Sequence, residues 1–132
     1  MSGQLLIIED NAANFYMMRF LLEHGGFTVM GAETGKKGID AALRCRPRAI
    51  LLDIQLPEMD GYAVAEELQR HPELARIPII AVTSYAMVGD RERILAAGAT
   101  GYIEKPINPD TFVAEIIQYL SNDRECDKEK QL

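Results

Sequence analysis

The stretch LLDIQLPEMDG, residues 51–61, joins a short apolar run to a loop that is marked by Pro57 and Gly61. The apolar run ends in an aspartate, Asp53. A buried strand gains nothing from a carboxylate at its end unless another group meets the charge there. The stretch therefore predicts a core strand whose last residue takes part in a polar site.

Five apolar runs alternate along the chain with five segments whose apolar residues recur at helical spacing. The apolar runs cover residues 4–8, 27–31, 49–53, 78–82 and 100–104. The helical segments cover residues 11–26, 34–47, 61–73, 90–99 and 108–120. The first, third and fourth runs are almost continuously apolar, which is typical of parallel strands buried on both faces. This alternation predicts an α/β fold with right-handed crossovers.

The boundaries of the last helix and of the domain also follow from local signals. The fifth helix is expected to have Asn108 as its N-cap and Pro109 at its first helical position. After that helix, residues 122–132 are charged and carry few apolar anchors. We expect one domain over residues 1–121 and a tail that is frayed helix or disordered.

Composition excludes several classes of function. The net charge of -6 argues against direct nucleic-acid binding, which needs a basic surface. No apolar run approaches the roughly 20 residues that cross a bilayer, and the amino terminus lacks the basic start of a signal peptide. Cys45 and Cys126 stand in no metal-binding spacing and are expected to be reduced thiols. These features predict a cytoplasmic protein without a membrane segment.

Chemistry-bearing residues collect where the predicted strands end, which is where parallel sheets bind ligands. Glu9 and Asp10 follow the first strand, Asp53 ends the third, Thr83 follows the fourth and Lys105 the fifth. Three carboxylates at one edge repel each other, and a proton, a cation or both relieve the repulsion. Hard oxygen ligands suit Mg²⁺. A carboxylate flanked by a metal, an ammonium and a hydroxyl is equipped to accept a phosphoryl group, and Asp53 is the predicted acceptor.

Four motifs together resemble the receiver domains of two-component response regulators, of the stand-alone single-domain type. The resemblance covers about residues 5–120 and rests on IIEDN (7–11), ILLDIQLPEMDG (50–61), IIAVTS (79–84) and GYIEKPI (101–107). It implies a flavodoxin-like fold, with a five-stranded parallel sheet in the order 2-1-3-4-5 and helices on both faces. It also implies phosphoryl transfer onto Asp53 from a histidine kinase or a histidine phosphotransfer protein.

The resemblance assigns a metal-binding role to four residues. Asp10 and Asp53 are expected to contact Mg²⁺ or Mn²⁺ directly, Glu9 through a water molecule, and Gln55 through its backbone carbonyl. Glu9 stands where many members of the family have aspartate, which affects the expected metal geometry alone. The acceptor would catalyse its own phosphorylation and a slow autodephosphorylation.

Further implied roles concern signal output. Thr83 corresponds to the switch hydroxyl, Tyr102 to the switch aromatic residue and Lys105 to the family's motif lysine, followed by a cis bond to Pro106. The face of the fourth and fifth helices, around residues 86–120, is expected to change for a downstream protein target or a phosphorelay partner. A monomer or a weak dimer is expected.

Other interpretations remain open from the residues alone. Asp53 suits a helix N-cap or a loop, Glu9 and Asp10 suit an N-cap pair, and Tyr102 suits a half-buried strand position. A phosphatase of the haloacid dehalogenase type would need a second aspartate where Gln55 stands. A flavodoxin would need a glycine- and hydroxyl-rich phosphate loop after the first strand, where the sequence is acidic. A degenerate receiver that docks proteins without phosphorylation is the main alternative.

Overall fold

The computed structural model describes residues 3–56, 59–84 and 90–131, with side chains described as far as residue 121. Its five strands are β1 (Gly3–Ile8), β2 (Phe27–Ala32), β3 (Ala49–Asp53), β4 (Ile79–Thr83) and β5 (Gly101–Glu104). Its five helices are α1 (Ala12–His24), α2 (Gly35–Cys45), α3 (Gly61–Arg70), α4 (Asp90–Ala96) and α5 (Phe112–Gln131). All strands pair in parallel in the order β2-β1-β3-β4-β5, which confirms the predicted fold.

Side-chain caps begin the first three helices directly after the loops that leave the strands. The side chains of Asn11, Thr34 and Asp60 accept the backbone N–H three residues further on, at 2.9, 3.2 and 2.9 Å respectively. Such caps satisfy backbone donors that have no partner within the helix. The caps therefore fix the residue at which each of these three helices begins.

The predicted start of α5 is wrong by about one turn. Asn108 caps a separate turn, since its side chain accepts the N–H of Asp110 at 3.0 Å and its carbonyl accepts that of Phe112 at 3.0 Å. The helix begins only at Phe112, so Pro109 lies in the turn and not at the first helical position. The backbone of α5 continues to Gln131, while side chains from residue 122 onward lie outside the described residues. The predicted tail therefore stays a prediction.

Two apolar clusters cover the two faces of the sheet. Successive residues of β1 are fully buried and alternate between the clusters: Leu6 and Ile8 join α2 and α3, whereas Leu5 and Ile7 join α1 and α5. β3 and β4 alternate in the same way. This double coverage explains why these strands are continuously apolar.

Close helix packing on the sheet depends on glycine at one point. A methyl group on Gly38 of α2 would overlap the side chain of Ile8, the last residue of β1. Glycine therefore lets α2 approach β1 more closely than any other residue would. In the described ranges, no helix has the length and apolar character that a membrane span requires.

Candidate functional site

Three carboxylates meet at the carboxyl ends of β1 and β3. Glu9 and Asp10 follow β1, and Asp53 is the last residue of β3. The two strands are neighbours, with Ile8 paired to Leu52, so their ends lie side by side. One carboxylate oxygen from each of the three acidic residues lies within 4.8 Å of the others. The structure therefore brings together the predicted acidic cluster.

One ammonium group is shared between two of these carboxylates. Lys105 follows β5, and its Nζ lies 2.9 Å from Oε1 of Glu9 and 3.4 Å from Oδ1 of Asp53. The lysine backbone is fixed to the neighbouring strand, because its N–H donates to the carbonyl of Thr83 at 2.8 Å. The bond from Lys105 to Pro106 is cis, the isomer that the resemblance implies. The cluster thus holds three acidic groups against one cation.

The excess of negative charge changes the acidity of the site. Burial and, to a smaller extent, the nearby Asp53 carboxyl raise the pKa of Glu9 to about 7, although Lys105 opposes both effects. Burial by itself would lower the pKa of Lys105, but its hydrogen bond to Glu9 and the charge of Asp53 outweigh that effect and raise it. The lysine therefore stays charged, and Glu9 keeps its proton to a higher pH than an exposed glutamate does.

Asp53 is held in a nearly closed environment. The residue is only 3% exposed, and its Oδ1 accepts the backbone N–H of Gln55 at 3.0 Å. The N-cap interpretations are wrong, because Asn11 caps α1 and Asp60 caps α3. Glu9, Asp10 and Asp53 therefore do not cap these helices, and their carboxylates lie close to one another.

Thr83 and Tyr102 occupy different surroundings. Thr83 is the last residue of β4 and is 1% exposed. Tyr102 is half-buried in β5, packs against the apolar cluster of α2 and α3, and has the guanidinium of Arg91 5.7 Å from its ring centre. Its carbonyl accepts the hydroxyl of Tyr119 at 3.1 Å. Tyr102 is not one of the described residues that line the acidic cavity.

That cavity, of about 480 Å³, is open to solvent. Its lining is formed by Glu9, Asp10, Asn11, Asn14, Asp53, Gln55, Ser84, Lys105 and Pro106. Three of these, Asn11, Asn14 and Ser84, had no predicted role, although each lies within four residues of a predicted site residue. Ser84 donates its hydroxyl to Oε1 of Gln55 at 2.9 Å.

The structure describes part of the two loops beside the cavity. Pro57 of the loop after β3 lies outside the described residues, as does residue 85, which follows Ser84. Gly61 is described: it begins α3, and its N–H donates to the carbonyl of Ile54 at 2.9 Å. The start of α3 is therefore bonded to the first residue after β3.

The chain is an α/β protein with an acidic cavity at the carboxyl edge of its parallel sheet, the edge at which such sheets bind ligands. Residues 5–117 match the response regulator receiver domain, so the chain belongs to the receiver-domain family. It is 42% identical over 122 residues to the polar-differentiation response regulator DivK of Brucella anthropi, covering 92% of this chain and 99% of that protein. The DivK protein of Brucella ovis is 41% identical over the same shares of both chains.

Solved structures agree with this placement. A response regulator from Chloroflexus aurantiacus has a TM-score of 0.86 at 26% identity, covering 92% of this chain and 99% of that chain. The receiver domain of a sensor histidine kinase from Pseudomonas aeruginosa has a TM-score of 0.83 at 32% identity, over the same shares. That second structure holds a magnesium ion in its active-site cleft.

Proposed function

We propose that this receiver domain accepts a phosphoryl group on Asp53 from a histidine kinase or a histidine phosphotransfer protein. The observation that carries the proposal is the environment of the Asp53 carboxylate. It is nearly buried, lies 3.4 Å from the Lys105 ammonium, and shares its cavity with the carboxylates of Glu9 and Asp10. A carboxylate held in this way is poised as a nucleophile, because the lysine stabilises charge that develops on the incoming phosphoryl oxygens.

The reaction is a simple transfer between two nucleophiles. An Asp53 oxygen forms a bond to phosphorus while the bond from phosphorus to the donor nitrogen breaks. Lys105 meets the charge of the phosphoryl oxygens, and the buried Thr83 hydroxyl is the proposed partner of one of them. The hydrolysis that reverses the labelling is expected to be slow.

The donor set fits Mg²⁺ or Mn²⁺, because it consists of hard oxygens and carries more negative charge than Lys105 neutralises. Asp10 and Asp53 would hold the ion directly, Glu9 through a water molecule, and Gln55 through its backbone carbonyl. Bound there, the ion would neutralise charge on the phosphoryl oxygens.

The proposed output is a change of surface. Phosphorylated Asp53 would carry roughly -1.5 to -2 charges, as a phosphorylated side chain does. Thr83 then moves toward the phosphoryl group, and Tyr102 turns inward into the space that is released. The face of α4 and α5, around residues 86–120, would present the result to a downstream protein target or to a second histidine; of this range, residues 86–89 lie outside the described part of the chain. The half-buried position of Tyr102 supports this role, since its ring borders both the core and Arg91.

A docking module that ignores phosphorylation is the weaker alternative. Such a module has no use for a buried aspartate or for an ammonium shared by two carboxylates, because both cost free energy to bury. The chain retains Asp10, Asp53, Thr83 and Lys105. The intact site favours phosphorylation.

Labelling by a small phosphodonor such as acetyl phosphate tests the acceptor. We expect the wild type to gain one phosphoryl group in Mg²⁺ and none after the ion is chelated, as measured by intact-protein mass spectrometry. Asp53→Asn should abolish the gain. Asp40→Asn is the matched control, because Asp40 is exposed on α2, and it should label normally. Undiminished labelling of Asp53→Asn would remove the assignment.

A further inference from the structure

One edge of the sheet carries backbone groups that no described strand pairs with. β2 is the outermost strand on its side. In a parallel pair, alternate residues direct both their N–H and their C=O to the neighbouring strand. The Ala32 carbonyl accepts the N–H of Glu9 at 3.0 Å, so Ala32 and every second residue before it face β1. The residues between them direct these groups away from the sheet, and they are Phe27, Val29 and Gly31.

β2 lacks the features that usually keep sheet edges from pairing. Natural edge strands are short, carry charged residues or proline, or are covered by other elements. β2 has six residues, FTVMGA, with no charged residue and no proline. The opposite edge strand, β5, has four residues, ends in Glu104, and has its Tyr102 carbonyl bonded to the hydroxyl of Tyr119. Of the two edges, β2 is therefore the one suited to accept a further strand.

The flanking helices leave this edge accessible. Gly31 lines a cavity of about 280 Å³ on the α1 side, together with Tyr16, and a cavity of about 400 Å³ on the α2 side, together with Arg44. Gly31 is itself exposed and has no side chain. Neither helix therefore covers the outward backbone groups at that point, and another strand has room to approach.

We propose that two copies of this chain pair through β2 in antiparallel orientation, so that the two sheets become one. Val29 then lies on the two-fold axis and pairs with the same residue of the second copy, while Phe27 pairs with Gly31. Because outward groups meet outward groups, each pair exchanges both of its N–H···O=C bonds. The contact is isologous, since both copies use the same strand.

Charges on α1 favour a second copy over an unrelated strand. The ring of Phe15 occupies the space where a side chain at Gly31 would lie, so this row of α1 borders the β2 edge. Residues four positions apart share a helix face, which places Arg19 and Glu23 in the same row. These two residues form an ion pair at 3.4 Å, and each side chain is 46% exposed.

The position of the ion pair matches the proposed axis. Val29 precedes Gly31 by two residues, or about 7 Å of strand. Over that distance α1, which returns the chain from the end of β1 to the start of β2, advances by about five residues beyond Phe15. The axis therefore passes between Arg19 and Glu23, and the arginine of one copy lies opposite the glutamate of the other. A second copy brings the same helix with it and so completes these pairs.

The dimer keeps the rest of the domain accessible. β5, which α4 contacts, lies at the opposite edge of the sheet from β2. Both copies would therefore offer the face of α4 and α5 at the same time. None of the described residues that line the cavity around Asp53 belongs to β2, so the inference is independent of the proposed function and is tested on the unlabelled chain.

Sedimentation equilibrium and amide hydrogen exchange together test the dimer. As the concentration of the full chain rises, the weight-average mass should increase from 14.7 kDa toward twice that value. In two-dimensional NMR spectra, the amide hydrogens of Val29 and Gly31 should exchange about tenfold more slowly at the highest concentration, because they become bonded. The amide hydrogen of Met30 faces β1 in both forms, and its exchange should not change.

Two variants separate the strand contact from the helix contact. Val29→Pro removes an outward N–H, which an edge strand tolerates, and should abolish the dimer. Glu23→Arg places like charges across the axis and should raise the dissociation constant by about tenfold, while Arg19→Glu combined with it should restore the wild-type value. Glu66→Arg, the same change at an exposed position of α3, is the matched control and should leave the dissociation constant unchanged.

Three results would overturn the proposal. A mass that stays at 14.7 kDa up to about 1 mM would exclude even a weak dimer. A mass that doubles without slower exchange at Val29 and Gly31 would place the contact on another face, such as that of α4 and α5. If Val29→Pro does not fold, the charge swap decides: unchanged association of Glu23→Arg, or no recovery in the double variant, would contradict the two-fold geometry.

Discussion

Replacing Glu9 with glutamine should change how the stability of the metal-free protein depends on pH. Burial raises the pKa of this carboxyl from 4.5 to about 7, so the folded chain holds a proton that the unfolded chain has already released. Its stabilising contribution is therefore complete below pH 4.5 and is lost as the pH rises through about 7. At about 1.4 kcal/mol per pKa unit, the loss amounts to roughly 3 kcal/mol. The glutamine side chain cannot ionise, so Glu9→Gln should not lose this stability as the pH rises.

Urea denaturation at pH 5, 6, 7 and 8 in the presence of a chelator measures the effect. Unfolding is followed by far-ultraviolet circular dichroism, because the chain contains no tryptophan. The free energy of unfolding of the wild type, minus that of Glu9→Gln, should fall as the pH rises. Glu66→Gln is the matched control, since Glu66 is exposed on α3, and its profile should follow the wild type.

Parallel profiles for the wild type and Glu9→Gln would refute the reasoning. They would mean that Lys105, 2.9 Å away, neutralises Glu9 fully in spite of its burial and the neighbouring Asp53. A fall that also appears in the Glu66→Gln comparison would show that the change comes from the general titration of carboxyl groups.

Two further changes test the electrostatics and the packing of the site. Lys105→Met should tighten Mg²⁺ binding by about tenfold in calorimetry, because the ammonium competes with the metal for Glu9 and Asp53; unchanged or weaker binding would contradict this competition. Tyr119→Phe should lower the free energy of unfolding by about 1 kcal/mol in urea, because it removes the hydrogen bond to the Tyr102 carbonyl. Equal stability would show that water replaces the hydroxyl without cost.

The sheet was predictable because its signal is local. Strands that are buried on both faces must be continuously apolar, and the predicted bounds of all five strands agree with the structure to within one residue. The polar residues at the strand ends were also predictable, because parallel strands end at the same edge. That rule predicts that Asp53 and Glu9, at the ends of β3 and β1, lie at the same edge of the sheet.

The remaining features depend on contacts between distant parts of the chain. The pairing of Ser84 with Gln55 joins residues 29 positions apart, and no periodicity signals it. The same is true of the guanidinium of Arg93, which lies 3.9 Å from the ring centre of Tyr62. The raised pKa of Glu9 depends on burial, which a sequence pattern does not measure.

The start of α5 shows how a correct local signal misleads. Asn108 followed by Pro109 is a typical helix beginning, and Asn108 does cap a turn. The turn ends at Phe112, the first residue of α5, which is a fully buried member of the cluster shared with α1. Where the helix begins is therefore set by its packing, which outweighs the local preference.

The glycine at position 38 affects the acidic cluster as well as the packing of α2. Its neighbour in space, Ile8, directly precedes Glu9 in the chain, so a single residue of β1 lies between α2 and the acidic cluster. A larger residue at position 38 would push α2 outward or move Ile8. Moving Ile8 would displace the carboxylate of Glu9, whose Oε1 lies 2.9 Å from Nζ of Lys105. Substitutions on the buried face of α2 are thus constrained by the geometry of the acidic cluster at the end of β1.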